Sequence, residues 1–155
     1  MSAPVFELLI AIKSYLQLAL LIAVCAAAWR WGGIPERAIA LILLGVLKIG
    51  DVLHHLFWGM SLQFNTLNVG HFLLDAIAAA LLLAVALRVD RIYPLWLAAI
   101  QIIVLLTHLA STLVSSAPFA YAIMSIAPSY VLILGLALGT ATHRHRSSAM
   151  RQRLI

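Results

Sequence analysis

Apolar residues run along the chain in five stretches of about 20 residues, separated by short polar groups. A helix that crosses about 30 Å of hydrocarbon needs roughly 20 residues at a rise of about 1.5 Å per residue. The pattern therefore predicts five transmembrane helices, at about 4–28, 35–58, 66–87, 93–115 and 118–141. Pro128 predicts a kink within the fifth helix because proline removes a backbone hydrogen bond there.

The composition agrees with this pattern. Of 155 residues, 65% are hydrophobic and 10% are charged, with five acidic side chains, so the chain cannot build the polar surface of a soluble protein. We expect an all-α, polytopic membrane helix bundle whose main partner is the lipid bilayer. The single cysteine, Cys25, excludes an intrachain disulfide, a cysteine-based zinc site and an iron–sulfur cluster.

The arginines predict the topology. All eight lie in the first link, the third link or the C-terminal tail, which share one side of the membrane if there are five spans: Arg30, Arg37, Arg88, Arg91, Arg144, Arg146, Arg151 and Arg153. The positive-inside rule then places the N-terminus outside and the C-terminus in the cytoplasm. We expect a multi-pass plasma-membrane protein, of the bacterial inner-membrane type, with a single domain over 1–142 and a basic cytoplasmic tail over 143–155. The basic charge thus reflects topology, and we expect no nucleic-acid partner.

Polar side chains recur within the predicted spans. Ionisable groups there cost at least about 2.5 to 3.5 kcal/mol each near the helix centre and usually face the bundle interior. At 100° per residue, three helices each carry a polar stripe on one face: Lys48, Asp51 and His55; Asn68, His71 and Asp75; Gln101, His108 and Thr112. We expect the stripes to meet in a polar core that also includes Lys13.

Counting from the nearest arginine places three histidines at one depth. His55, His71 and His108 each come out at about 26 Å from the arginine belt, and Asp51 and Asp75 at about 20 Å. This predicts a layer of imidazoles toward the outer leaflet above a layer of carboxylates. One member of the pair His54 and His55 is expected to face headgroups or another chain, because adjacent helical residues point about 100° apart.

Such a layer favours a cofactor. Imidazole is the commonest metal ligand and the usual axial ligand of b-type haem, and a nearby carboxylate can orient the ring. We therefore predict a haem b or transition-metal site with His55, His71 and His108 as ligands, joined by Asp51 or Asp75 in the case of a metal ion. Lys13, Lys48 and Gln101 complete the polar core. The function this indicates is a membrane redox or ion-handling role in a protein that is not an independent enzyme.

Two other functions fit the same residues. The polar groups can simply bond to one another across the bundle, as in a non-catalytic accessory subunit of a larger membrane complex or a homo-oligomer. In that case Trp58, Trp96 and Tyr121 would help to seat the subunit. Alternatively, alternating histidine and carboxylate groups are the parts of a proton-coupled transporter, which at this length would have to oligomerise to enclose a pathway.

Overall fold

A computed structural model describes residues 3–58, 69–113 and 118–152, with side chains over 12–57, 69–110 and 127–150. Every element in these ranges is helical. In chain order they are α1 (Ala3–Trp31), α2 (Ile34–Leu41), a π-helical segment (Ile42–Ile49), α3 (Gly50–Trp58), α4 (Val69–Arg88), α5 (Tyr93–Leu113) and α6 (Pro118–Gln152). The all-helical prediction is confirmed for the part of the chain that the structure describes.

Four helical stretches are long and apolar enough to cross a membrane: Ile12–Trp31, Ile34–Phe57, Val69–Arg88 and Tyr93–Ala110. They correspond to the first four predicted spans, which is consistent with a multi-pass membrane protein. The fifth predicted span falls on α6, and part of it lies outside the described side chains. The count of five and the orientation therefore stay predictions.

The second span is a composite helix. Its first part, α2, begins after Gly33, and the carboxylate of Glu36 accepts a hydrogen bond of 2.8 Å from the Gly33 N–H, as in a capping box. The backbone then follows a π-helical pattern over Ile42–Ile49 before it returns to α-helix at Gly50. The sequence predicts a regular α-helix here, because a largely apolar run has the same composition in either form. π-helical turns are rare and occur frequently at functional sites.

The helices pack in a closed order. The composite second span contacts α1 and α4, α4 contacts α5, α5 contacts α6, and α6 returns to α1. The buried apolar core draws on each of these elements: Leu21, Cys25, Ala28, Ile39, Ala40, Ile42, Leu43, Ala78, Leu82, Leu97, Ala98, Leu132, Ile133 and Leu136. Most of these residues lie in the half of each helix that is nearer the arginines. In the opposite half, α3 and the first turns of α4 are more open.

Candidate metal centre

Three metal-ligating side chains converge in this more open half. Asp51 and His55 are one turn apart on α3, and His71 faces them from α4. The Nε2 of His71 lies 2.8 Å from Asp51 Oδ1, and the Nε2 of His55 lies 3.4 Å from the same oxygen. One donor atom from each residue lies within 4.8 Å of the other two. We call Asp51, His55 and His71 the Asp51 cluster.

The close packing of α3 on α4 brings the cluster together. Gly50 precedes Asp51, and a Cβ at Gly50 would lie 2.7 Å from Leu74 Cδ2. The small residue thus lets α3 approach α4 next to the cluster. Asp51 and His55 share a face because residues four apart are neighbours on a helix. The predicted alignment of Lys48, Asp51 and His55 is confirmed, since Lys48 Nζ lies 3.8 Å from Asp51 Oδ2.

The cluster has nearly the spacing of a metal site. Ligand atoms bound tetrahedrally to zinc at about 2.0–2.1 Å lie roughly 3.3 Å from one another. The 3.4 Å contact between His55 and Asp51 already has this length, and the 2.8 Å hydrogen bond from His71 would have to lengthen by about 0.5 Å. The three side chains are each about 30% exposed, so an ion can reach them without unfolding. The cluster therefore has donor atoms for three of the four ligand positions of a tetrahedral centre.

Two features of the surroundings would weaken such a site. The ammonium group of Lys48 competes with a cation for Asp51, although its side chain is 40% exposed and can turn toward water. The Nδ1 atom of His55 is buried and has no hydrogen-bond partner among the described residues. Metal-ligating histidines usually donate their second N–H to an acceptor, and losing that acceptor costs about 10- to 100-fold in affinity.

His54 lies beside the cluster, contrary to expectation. Its ring centroid is 5.0 Å from that of His71 and 5.7 Å from that of His55. The absence of a side chain at Gly70 makes this contact possible, because a Cβ there would overlap the His54 ring. The helical period of 100° per residue determines the direction of the Cα–Cβ bond of His54, but the ring lies further along the side chain and contacts α4. The signal in the sequence was the glycine directly before His71.

The third predicted histidine belongs to a separate cluster. His108 Nε2 lies 2.9 Å from Asp75 Oδ2, and Gln101 Nε2 donates to Asp75 Oδ1 at 2.7 Å. Gln101 and His108 thus share a face of α5, as predicted, and Gln101 is buried. We call Asp75, Gln101 and His108 the Asp75 cluster. The three histidines that were predicted to form one layer are therefore divided between the Asp51 cluster and the Asp75 cluster. Asp75 is one turn from His71 on α4, so the two clusters adjoin.

For the pair His55 and His71, the geometry favours a single metal ion over haem. Two histidines that ligate haem bind iron from opposite faces of a flat macrocycle. Here the Nε2 atoms of His55 and His71 both lie against one oxygen of Asp51. Their ring centroids are 5.0 Å apart with the planes tilted by 56°. The carboxylate therefore stands beside both nitrogen atoms, where the macrocycle would have to lie.

Two other predicted residues, Lys13 and Trp96, have described side chains. Lys13 is half-buried on α1, which packs against α6 and the second span, and no described residue forms an ion pair with it. Trp96 is exposed on α5. Four further residues have side chains outside the described ones: Trp58, Asn68, Thr112 and Tyr121.

No protein-family model, no curated protein and no solved structure matches this chain. Its candidate function therefore rests on the chemistry of the residues described above.

A buried ion pair at the arginine-rich end was not predicted. Glu36 is fully buried and binds the guanidinium of Arg91, the hydroxyl of Tyr93 (2.9 Å) and the N–H of Gly33. Arg91 also donates to His143 Nδ1 at 3.0 Å, which ties the first link and the third link to α6. We call Glu36, Arg91, Tyr93 and His143 the Glu36 cluster.

The sequence signal for the Glu36 cluster was a lone acid in a basic link. Glu36 is one of five acidic residues in the chain and lies three residues after Gly33, at the spacing of a capping box. Gly139 on α6 makes room for its partner, because a Cβ there would lie 2.6 Å from the Tyr93 ring. The sequence alone indicated a topological role for Arg91 and placed His143 in the basic tail. The cluster instead fastens the arginine-bearing segments to one another.

Proposed function

We propose that this chain is a membrane protein that binds one divalent transition-metal ion through Asp51, His55 and His71, in an ion-handling role. The observation that carries the proposal is the convergence of three donor atoms, from two helices, within 4.8 Å. If these side chains served only to pack the helices together, Ser, Thr, Gly and Ala would do so at a far lower free-energy cost of membrane insertion.

The donor set defines the class of ion. Two imidazole nitrogens and one carboxylate oxygen suit zinc, iron, copper or nickel, whereas calcium and magnesium require oxygen ligands. Three protein ligands leave a fourth position for water or an exchanging ligand, as in zinc sites that are not purely structural. Partial exposure of the cluster supports exchange rather than permanent burial. We therefore favour binding and transfer of the ion over a purely structural role.

Metal titration of the purified protein in mild detergent tests this proposal. After treatment with a chelator, we expect the protein to bind one Zn²⁺ per chain by calorimetry. Co²⁺ should give the visible absorption bands of a tetrahedral site. We expect His71→Ala and Asp51→Asn to weaken binding at least tenfold, because each removes one of three ligands.

The matched control is His108→Ala, which removes an imidazole that also bonds a carboxylate but lies in the other cluster. Its affinity should stay within about threefold of that of the parent protein. If His108→Ala weakens binding as much as His71→Ala, the single layer expected from the sequence is the site instead. If no variant weakens binding, the proposal fails. A visible spectrum before and after dithionite tests the haem alternative, which requires a Soret band.

A proton relay is the second candidate, and the adjacency of the two clusters favours it. Hydrogen bonds link Asp51 to His71 and Asp75 to His108, and His71 and Asp75 lie one turn apart on α4. Such alternation of histidine and carboxylate groups is typical of proton pathways in membranes. In liposomes with an internal pH dye, the relay predicts acidification that falls in Asp75→Asn without added metal. Metal-dependent flux alone would contradict it.

The proposed topology has five spans, the N-terminus outside and the C-terminus in the cytoplasm of a bacterial-type plasma membrane. The contacts of Arg91 with Glu36 and His143 support it, because they bring segments of the first link, the third link and α6 to one end. A C-terminal green fluorescent protein fusion should then fluoresce, and a C-terminal alkaline phosphatase fusion should be inactive. The reverse result would overturn the orientation.

A further inference from the structure

A groove between α1 and α6 opens at the arginine-rich end of the bundle. Its volume is about 440 Å³, within the range of roughly 300–1,000 Å³ that is typical of small-molecule sites. Small apolar side chains form the inner walls, and larger polar and aromatic side chains form the mouth. The full lining is Val24, Ala27, Trp31, Ala137, Thr140, Ala141, Arg144, His145 and Ser148.

The mouth of the groove holds a positioned guanidinium. Arg144 lies over the ring of Trp31, with its guanidinium carbon 4.6 Å from the ring centroid. This cation–π contact uses the flat face of the group and leaves its N–H edge for an anion. Among the described residues, no carboxylate lies within ion-pair distance of Arg144, in contrast to Arg91, which Glu36 neutralises. The charge at the mouth is therefore available to an external partner.

We propose that this groove binds an anionic phospholipid, with the phosphate on Arg144 and one acyl chain along the apolar walls. A guanidinium binds phosphate oxygens in a bidentate manner, and the exposed side chain of His145 supplies a further donor. Tryptophan is enriched at the depth of lipid headgroups, which is where Trp31 ends α1. Basic pockets between membrane helices are known as binding sites for anionic headgroups. The proposal is independent of the metal site.

The walls explain why a lipid fits better than a soluble anion. Val24, Ala27 and Ala137 offer only apolar surface, and the hydroxyl of Thr140 is already bonded to the Leu136 carbonyl at 2.8 Å. An acyl chain covers this apolar surface, whereas a free phosphate would leave it uncovered. The site thus combines a charged mouth with an apolar interior, as a phospholipid does.

Native mass spectrometry of the full chain tests the proposal. The protein is mixed with phosphatidylglycerol or phosphatidylcholine of identical acyl chains, and the retained lipid is counted. We expect phosphatidylglycerol to be retained at least fivefold more strongly, and Arg144→Gln to remove that preference. Ala141→Leu, at the exposed rim of the groove, should reduce retention of both lipids because it fills space needed by the acyl chain.

The matched control is Arg146→Gln, which removes the same charge two residues away from a position that does not line the groove. Its preference for phosphatidylglycerol over phosphatidylcholine should stay within about twofold of that of the parent protein. Equal retention of the two lipids by the parent protein would overturn the proposal. Equal loss in Arg144→Gln and Arg146→Gln would also overturn it, because diffuse attraction by the basic tail would then account for the binding. Unchanged melting of the variants shows that each is folded.

Discussion

Arg91→Ala should destabilise the protein strongly, and a second substitution should restore part of the loss. Glu36 is fully buried, whereas the Arg91 side chain is 27% exposed. Removing Arg91 leaves a buried carboxylate with only the Tyr93 hydroxyl and the Gly33 N–H as partners. Breaking a buried ion pair in this way costs about 3–5 kcal/mol. At about 2–4 °C per kcal/mol for a chain of this size, the melting temperature should fall by roughly 6–20 °C.

Adding Glu36→Gln to Arg91→Ala removes the uncompensated charge and keeps an oxygen that accepts hydrogen bonds. We expect it to recover about 2 kcal/mol, because an unpaired buried charge costs more than a neutral amide. Glu36→Gln alone should cost less than Arg91→Ala, since the partly exposed guanidinium can find water. The two changes are therefore expected to be non-additive, with the double variant more stable than Arg91→Ala.

Cys25 provides the assay. It is the single cysteine of the chain, and it is buried with its Sγ 3.7 Å from the Ala40 carbonyl oxygen. A thiol-reactive fluorogenic dye, added during heating in detergent, reports when the core around Cys25 opens. The refuting result is a double variant that melts lower than Arg91→Ala. The Glu36 charge would then not be the source of the instability, and the ion pair would contribute no more than an exposed one.

Two further predictions concern the Asp51 cluster, and a third concerns the Glu36 cluster. Lys48→Met should strengthen Zn²⁺ binding by about tenfold, because it removes the ammonium group 3.8 Å from Asp51; unchanged affinity in calorimetry would contradict this. Zn²⁺ binding should weaken as the pH falls, because protons compete with the metal ion for the imidazole nitrogens and the carboxylate; metal titrations at several pH values measure this. Tyr93→Phe should lower the melting temperature less than Arg91→Ala does, because it removes one hydrogen bond to Glu36 and leaves the ion pair; an equal loss would show that the hydroxyl dominates.

The length and periodicity of the apolar runs were sufficient to predict most of the described fold. Spans such as Val69–Arg88 follow from hydropathy because a membrane permits few alternatives to a helix. The helical period also predicted which polar residues share a face: Lys48 contacts Asp51 on the same helix, and Gln101 and His108 both contact Asp75 from one face of α5. These are properties of one helix at a time, so a single sequence contains them.

Relations between helices could not be obtained in the same way. Counting residues from the arginines gave His71 and His108 one depth, but it contains no information on which side chains face each other across the bundle. The structure pairs His71 with Asp51 and His108 with Asp75, and α3 and α4 approach closely at Gly50 and Gly70, next to the first of these contacts. Hydropathy likewise could not reveal the π-helical segment before Asp51, because the composition of its residues is the same in any helical form.

The two ends of the bundle use charge in opposite ways. At the arginine-rich end, Glu36 is fully buried, and three donors and a tightly packed core surround it. In the other half, Asp51 is partly exposed, and its Oδ1 faces the Nε2 atoms of two histidines. The two N–O distances are 2.8 Å for His71 and 3.4 Å for His55. A fully enclosed ion pair favours one fixed arrangement, whereas an exposed carboxylate with competing partners exchanges them at low cost. Stability should therefore depend most on Glu36, and ligand exchange on Asp51.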